Sequence, residues 1–195
     1  MLSLFLSTIV LVAAPAPAQD PACVTRAKPE QLAGRPSPLE SVTFTVGAAR
    51  VKVCYGAPSA KGRKVFGELI PYGQLWRTGA NEPTMIHTSA PITVAGVAVP
   101  AGVVSLYTVP GKSEWEIIIN RSVTQWGAEG GYTDAIKAQE IGRGRVAALP
   151  DPLPAPVEKF TIRADQAART TMLVLEWERT RVSIPVEAAR RALTD

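Results

Sequence analysis

Few side chains in this sequence could carry out catalysis, and they are widely spaced along the chain. His87 is the only histidine, so a multi-histidine metal cluster and a His-Glu-x-x-His zinc motif are excluded, and a Ser-His-Asp triad would have to use it. Two cysteines alone argue against a structural zinc site. Gly142 and Gly144 lack the third glycine and the strand-to-helix context of a phosphate-binding loop. We therefore expect neither a metal nor a cofactor, and interpret His87 as an ordinary polar residue at a strand end.

Carboxylates leave one catalytic hypothesis open, an envelope hydrolase acting on glycans. Such an enzyme needs two carboxylates flanking a cleft, ~5–5.5 Å apart for retention or ~6.5–9.5 Å for inversion. Glu82 is the candidate for one of them, and the candidates for the other are Glu68, Glu116 and Asp134. This function requires that Glu82 is not neutralised by Arg77 and that it shares its cleft with a second carboxylate.

A second hypothesis is ligand binding through residues 61–83, a stretch rich in glycine, arginine and aromatic residues. The guanidinium groups supply planar donors, the aromatic rings supply flat apolar faces, and an amide and a carboxylate add directional hydrogen bonds. This combination suits a carbohydrate or a small carboxylate. The candidate ligand-binding residues are Arg63, Tyr72, Trp76, Arg77, Asn81, Glu82 and Tyr107.

The same residues also allow a structural interpretation. The glycines turn the backbone, Phe66 and Trp76 plug the open end of the fold, and Arg77, with its neighbours Asn81 and Glu82, satisfies buried carbonyls and a charge. Glu82 follows Arg77 by five residues, so the chain can fold back and pair the two side chains. The sequence alone does not decide between these interpretations.

The charge of the chain argues against a nucleic-acid partner. The formal net charge is only +4, which is too mild for nucleic-acid binding. The segment 50–77 contains six basic residues and one acidic residue, Glu68. This segment is either a solvated basic face or a surface that attracts an anionic ligand.

The N-terminus predicts export. Residues 2–14 are almost wholly apolar and uncharged, and Ala16-x-Ala18 supplies the small side chains that signal peptidase accepts. The apolar stretch is shorter than the ~20 residues of a membrane-spanning helix, so we predict a signal peptide over residues 1–18, cleaved after Ala18, and a periplasmic or secreted protein. No later segment approaches a transmembrane span.

The two cysteines predict a disulfide in that compartment. Cys23 follows Asp20-Pro21-Ala22, which lacks the aliphatic, charge-free approach of a lipoprotein signal. In an oxidising compartment, a bridge between Cys23 and Cys54 would tie the mature N-terminus to an early strand. The alternatives are a buried free Cys54 and a mobile Cys23.

Hydrophobic alternation predicts an all-β fold in one domain over residues 39–195, after an extended, proline-rich lead-in over residues 19–38. Apolar residues recur at every second position over a hairpin that turns at Gly47. The chain has no long helical pattern, which points to an antiparallel β-sandwich or a jelly-roll-like double sheet with long loops. A short helical turn is predicted over residues 134–141 and another over 186–193. Further strands are predicted over residues 84–88, 92–94, 103–109, 115–120, 158–164, 171–178 and 181–186. Two of them carry an alternating apolar face, residues 115, 117 and 119 and residues 173, 175 and 177, which we expect to be buried inside the sandwich.

Several motifs resemble the family known as domain of unknown function 2911. They include Lys61-Gly62-Arg63, Phe66-Gly67, Pro71-Tyr72-Gly73, Trp76-Arg77-Thr78-Gly79-Ala80-Asn81-Glu82, Gln125-Trp126-Gly127, Phe160-Thr161-Ile162 and Leu175-x-Trp177-Glu178. The resemblance covers residues 35–186 and implies an exported bacterial protein of unassigned activity. Cys54, Ala57 and Pro83 stand where the family pattern leads us to expect an Asp, an Arg and a small residue.

The leading functional hypothesis is a non-catalytic exported β-domain that binds a small polar ligand, an envelope glycan or another protein through residues 61–83. The first alternative is the glycan hydrolase that uses Glu82. The second alternative is a purely structural envelope protein, which is favoured if no concave surface contains the candidate residues.

Overall fold

Two antiparallel β-sheets packed face to face form the protein, which confirms the predicted all-β sandwich. A computed structural model describes residues 20–127, 129–148, 153–167 and 170–189. The predicted signal peptide and its cleavage point lie outside these residues. Among the described residues, no helix has the length and apolar character needed to cross a bilayer.

The strands follow the predicted positions closely. In chain order they are β1 (Leu39–Val46), β2 (Ala49–Gly56), β3 (Thr84–Thr88), β4 (Ile92–Val94), β5 (Val97–Val99), β6 (Gly102–Val109), β7 (Glu114–Asn120), β8 (Glu140–Ala147), β9 (Val157–Ala167), β10 (Thr170–Glu178) and β11 (Thr180–Ala188). One sheet has the order β1-β2-β3-β6-β7-β8 and the other β5-β4-β11-β10-β9. The described helices are short: α1 (Pro29–Leu32), a 3-10 turn (Glu129–Gly131) and α2 (Asp134–Lys137).

The core lies between the sheets and is built from the alternating apolar positions. Two predicted inward faces, residues 115, 117 and 119 of β7 and residues 173, 175 and 177 of β10, are confirmed, since each of these side chains is at most 2% exposed. Because side chains alternate across a strand, the intervening residues of β7 point to the other side of its sheet.

Two strands were not predicted, and both predicted helical turns are wrong in part. The turn predicted over residues 134–141 ends at Lys137, and residues 140–141 belong to β8. β5 has only three residues, too few for a periodic pattern. β8 carries Gly142 and Gly144 where apolar residues would be expected, and a Cβ on Gly144 would lie 2.1 Å from the carbonyl oxygen of Ala95. These glycines let β8 approach the β4–β5 turn. β11 continues to Ala188, so the start of the predicted closing helix over 186–193 is strand, and residues 190–195 lie outside the described residues.

The outer face of the six-stranded sheet, meaning the face turned away from the other sheet, is also covered. The described part of the segment 121–139 lies over β6 and β7: Asn120 Nδ2 donates to the Ile136 carbonyl at 2.7 Å, and the Tyr107 and Tyr132 rings meet edge to face. The lead-in covers β2 and β3, and the predicted Cys23–Cys54 disulfide is confirmed. The sandwich therefore has a partial third layer that positions several candidate residues.

Candidate functional site

The loop 61–83, which connects β2 to β3, closes one end of the sandwich and is fastened to both sheets. The backbone of Trp76 exchanges two hydrogen bonds with Thr108 of β6, with N···O distances of 2.8 and 2.9 Å. The Glu178 carboxylate of β10 accepts from the Val65 N–H at 3.2 Å. The loop is thus a fixed part of the structure.

Trp76 and Phe66 belong to the core, as the structural interpretation predicts. Trp76 is 1% exposed and Phe66 is 4% exposed. The Trp76 ring stacks on Trp177 with a centroid distance of 6.0 Å and meets Phe160 at 5.2 Å. Its indole N–H donates to the Gly79 carbonyl at 3.2 Å. Both ring faces and the polar atom are occupied, so Trp76 offers no platform to a ligand.

Glu82 is a structural anchor for the lead-in, and its predicted pairing with Arg77 is wrong. The guanidinium of Arg35 binds the carboxylate with two hydrogen bonds of 2.9 and 3.1 Å. The Thr25 hydroxyl and the Arg26 N–H also donate to Oε1, at 2.7 and 3.1 Å. The side chain of Glu82 is only 5% exposed. These donors lie in the lead-in, about fifty residues away, which is why a local pairing with Arg77 was the wrong inference.

The electrostatics of Glu82 follow from these contacts. Burial alone would raise the pKa of the carboxyl group, but hydrogen bonds from Arg35, Thr25 and the backbone outweigh it and lower the pKa from 4.5 to about 2. A general acid needs a pKa near the working pH. Glu82 is ionised at neutral pH and its oxygens are already occupied, so it is poorly suited to protonate a leaving group.

Asn81 and Arg77 hold the end of the loop against the segment after β7. Asn81 has a φ of +66° and donates from its amide to the Ser37 carbonyl at 3.2 Å, while its own carbonyl accepts from the Gly127 N–H at 3.2 Å. A Cβ at Gly127 would lie 2.7 Å from Cδ of Arg77. The Gln125-Trp126-Gly127 motif therefore packs on the 77–82 turn, and glycine is required there for space.

Tyr107 lies away from the loop 61–83, on the outer face of the six-stranded sheet. Its ring is fully buried beneath the segment 121–139, and its hydroxyl accepts from the Gln125 amide at 3.1 Å. Its assignment to a common ligand site with the loop residues is therefore not supported.

Arg63 and Tyr72 are the two candidate residues whose side chains are exposed. Arg63 donates from Nε to the Ala60 carbonyl at 2.8 Å and from Nη2 to the Ser59 carbonyl at 2.9 Å. Tyr72 is 40% exposed, and its ring lies over Gly67, where a Cβ would be 2.7 Å from Cε2. Of these two side chains, the Tyr72 ring is the one that offers an exposed flat face.

A groove with a volume of about 370 Å³ runs along the same loop. Its lining includes two polar residues, Gln74 and Arg77, among aliphatic side chains, and such a mixture is expected of a binding cleft. Leu69 is 39% exposed at its edge. The lining residues are Leu69, Ile70, Pro71, Gln74, Leu75, Trp76 and Arg77.

The three carboxylates considered as catalytic partners of Glu82 are paired with basic residues or exposed to solvent. Glu68 pairs with Lys64 at 3.4 Å, and Glu116 pairs with Arg143 at 2.6 Å. Asp134 is exposed in the first turn of α2. Within the described ranges, no group of three or more histidine, cysteine, aspartate or glutamate side chains has the geometry to hold a metal ion.

Comparison with known proteins identifies the family of the chain but assigns no activity to that family. Residues 37–186 match the family model described as "Protein of unknown function (DUF2911)". No curated protein and no solved structure matches the chain significantly. The matched residues include all of β1 to β10, β11 up to residue 186 and the whole of the loop 61–83.

Proposed function

The chain belongs to the DUF2911 family, and we propose that it is an exported, non-catalytic β-sandwich that binds an envelope glycan or another small polar ligand through the groove of the loop 61–83. The observation that carries this proposal is the groove itself. It places Gln74 and Arg77 among aliphatic side chains, and the half-exposed Tyr72 ring lies in the same loop.

Export is supported by two independent features. The apolar, uncharged N-terminal stretch followed by small residues has the pattern of a signal peptide. The Cys23–Cys54 disulfide is a type of bond that persists in oxidising compartments and is rare in the cytosol. Together they favour a periplasmic or secreted location.

A binding role is favoured over glycan hydrolysis by the state of Glu82. Hydrolysis needs one carboxyl group with a raised pKa and a second carboxylate across a cleft. Glu82 has a lowered pKa and is enclosed by four donated hydrogen bonds. Glu68 and Glu116 are paired with basic residues of their own.

The experiment is a thermal-shift screen of the mature protein against soluble peptidoglycan fragments and chitin oligosaccharides. A ligand at a hundred times its dissociation constant stabilises a protein by ~2.7 kcal/mol. Tyr72→Ala and Gln74→Ala should remove this stabilisation and leave the unliganded melting temperature nearly unchanged. The control is Arg145→Ala, because Arg145 is an exposed residue of β8, outside the loop and the segment that packs on it.

Two results would contradict the proposal. In the first, no glycan in the panel shifts the melting temperature of the parent protein. In the second, the Tyr72 and Gln74 variants respond to a stabilising glycan as the parent does, which would place the glycan elsewhere on the molecule.

A further inference from the structure

A cavity of about 250 Å³ opens on the outer face of the six-stranded sheet, at the end opposite the loop 61–83. It lies where β2 begins, β3 ends and β6 begins, whereas the loop joins the other ends of β2 and β3. The cavity is therefore separate from the groove described above. Its lining residues are Pro21, Arg50, Lys52, His87, Thr88, Ser89, Gly102 and Val103.

The strand register explains why these side chains meet. In the antiparallel pairs, Lys52 lies opposite His87, and His87 lies opposite Val103. Directly opposed residues place their side chains on the same face of the sheet. The Arg50 N–H donates to the Ser89 hydroxyl at 2.8 Å, which holds the end of β3 beside β2. The lining is thus a fixed part of the sheet.

His87 is the feature that points to a ligand. The side chain is buried, with 5% of its surface exposed, and none of the residues that the structure describes makes a hydrogen bond to its Nε2 atom. Buried polar atoms are almost always paired, so an unpaired one needs an explanation such as an absent ligand. Burial and the nearby Lys52 ammonium both lower the pKa of His87, which favours the neutral imidazole with one N–H donor and one acceptor nitrogen.

The positive charge around the cavity favours an anionic ligand. Arg50 and Lys52 are both cationic, and they bind the start of the lead-in: Arg50 Nε donates to the Asp20 carboxylate at 2.6 Å, and Lys52 Nζ donates to the Pro21 carbonyl at 2.9 Å. Arg50, one of the lining residues, thus already binds a carboxylate of the protein's own chain. Val103, Pro21 and the carbon stems of the two cationic side chains supply apolar surface beside it.

We propose that this cavity binds a small organic carboxylate with an apolar body. Arg50 and Lys52 contact the carboxylate, and the imidazole of His87 donates its N–H to the same anion. The apolar body occupies the space beside Val103 and above Gly102, where even a Cβ would meet nothing within 4 Å. The volume is slightly below the ~300–1,000 Å³ of pockets that enclose drug-sized molecules, so the ligand is smaller than these.

The single histidine gives this proposal a direct test. In tag-free mature protein, the imidazole Cε1–H resonance in an NMR spectrum belongs to His87 alone. Benzoate should shift this resonance in a saturable way, whereas benzamide, its uncharged analogue, should not. Inorganic phosphate serves as a second probe, because it carries charge and no apolar body. It should bind more weakly than benzoate.

Variants of the charged residues sharpen the test. Arg50→Gln and Lys52→Gln should each weaken benzoate binding at least about tenfold, because each removes a charge-assisted hydrogen bond. Asp20→Asn should strengthen binding about two- to fivefold, because it removes a competing carboxylate held in an exposed ion pair. The control is Arg145→Gln, a change in another exposed ion pair of the same sheet, which should leave binding unchanged.

Several outcomes would overturn the proposal. It fails if benzoate and benzamide shift the His87 resonance equally, if phosphate binds and benzoate does not, or if the Asp20, Arg50 and Lys52 variants all bind benzoate like the parent. Should Arg50→Gln not fold, as judged by near-ultraviolet circular dichroism, the Asp20→Asn variant carries the same test. Tyr72→Ala in the loop 61–83 should bind benzoate normally, so this result is independent of the glycan screen.

Discussion

Two regions beneath the lead-in each contain a buried polar side chain. The two side chains differ in whether their polar atoms have hydrogen-bond partners. At Glu82, both carboxylate oxygens receive hydrogen bonds from the lead-in. At His87, a buried ring nitrogen has no hydrogen-bond partner among the described residues, and a cavity lies beside the side chain. A fully satisfied buried group is explained by the fold it supports, whereas an unsatisfied one is a reason to look for a ligand. By this criterion, the family motif that ends in Glu82 stabilises the fold, and His87 belongs to the proposed carboxylate-binding site.

The disulfide lies between the two regions. Along the lead-in, Asp20 and Pro21 contact the start of β2, Cys23 is bonded to Cys54, and Thr25 reaches Glu82. The lead-in therefore runs along β2 as a strap with three attachments. The comparison predicts that the attachments at Cys23 and Glu82 stabilise the fold and that the one at Arg50 contributes little.

The largest effect is expected for Arg35→Ala. This change leaves the buried Glu82 carboxylate without its cationic partner, which typically destabilises a protein by ~3–5 kcal/mol. Arg50→Ala breaks an ion pair whose side chains are 47% and 36% exposed, and should leave stability nearly unchanged. Urea denaturation of both variants measures the contrast. Equal losses of unfolding free energy would remove the distinction between the regions.

Removing the disulfide should have a slightly smaller effect. The cysteines are 31 residues apart, and the loop-closure entropy of such a crosslink is about 3–4 kcal/mol. The double variant Cys23→Ser with Cys54→Ser should therefore melt well below the parent. The oxidised and reduced parent proteins provide the matched comparison. A melting temperature that does not respond to reduction would show that the other two attachments suffice.

The pH dependence of stability tests the Glu82 region by itself. Its pKa is about 2 in the folded state and near the ordinary value of 4.5 in the unfolded chain, so its contribution of about 3 kcal/mol is complete above pH 4.5 and is lost as pH falls towards 2. The difference in unfolding free energy between the parent and Glu82→Gln should shrink over this window. A difference that stays constant from pH 6 to pH 2.5 would contradict the pairing.

The smallest effect is expected for His87→Leu. Replacing an unsatisfied buried polar group by an apolar one of similar size is typically neutral or slightly stabilising, so the unfolding free energy should change by less than about 1 kcal/mol. Thermal unfolding monitored by circular dichroism is sufficient. A loss above ~2 kcal/mol would show that the imidazole makes an essential contact within the folded protein and would weaken its assignment to a ligand site.

Strand positions could be predicted because alternation is a local signal. The buried faces of β7 and β10 were read from every second residue, and the observed strands agree. Strand β8 was not predicted, because its inward positions include Gly142 and Gly144. Glycine at these positions allows the close approach of β8 to the β4–β5 turn and contributes no hydrophobic side chain. A pattern of apolar residues cannot reveal a strand whose inward side chains are absent.

The partners of the candidate site residues could not be predicted, because they are set by tertiary contacts. Arg35 is 47 residues from Glu82 in the sequence, and nothing local marks it as a partner. The sequence analysis proposed Tyr107 as a ligand-binding residue, whereas in the structure the described part of the segment 121–139 buries its side chain. For Trp76, the structural interpretation from the sequence was the right one, whereas ligand contact through Tyr72 stays a prediction.

The most direct test of the central claim, that Glu82 is a structural anchor and not a catalytic acid, is the pKa of its carboxyl group. It can be measured by NMR from the side-chain carboxyl carbon during an acid titration, with Glu82→Gln to assign the signal. The structure predicts a midpoint of about 2, because Arg35, Thr25 and the Arg26 N–H all stabilise the ionised form. A midpoint at or above 4.5 would contradict the account and return Glu82 to the list of candidate general acids.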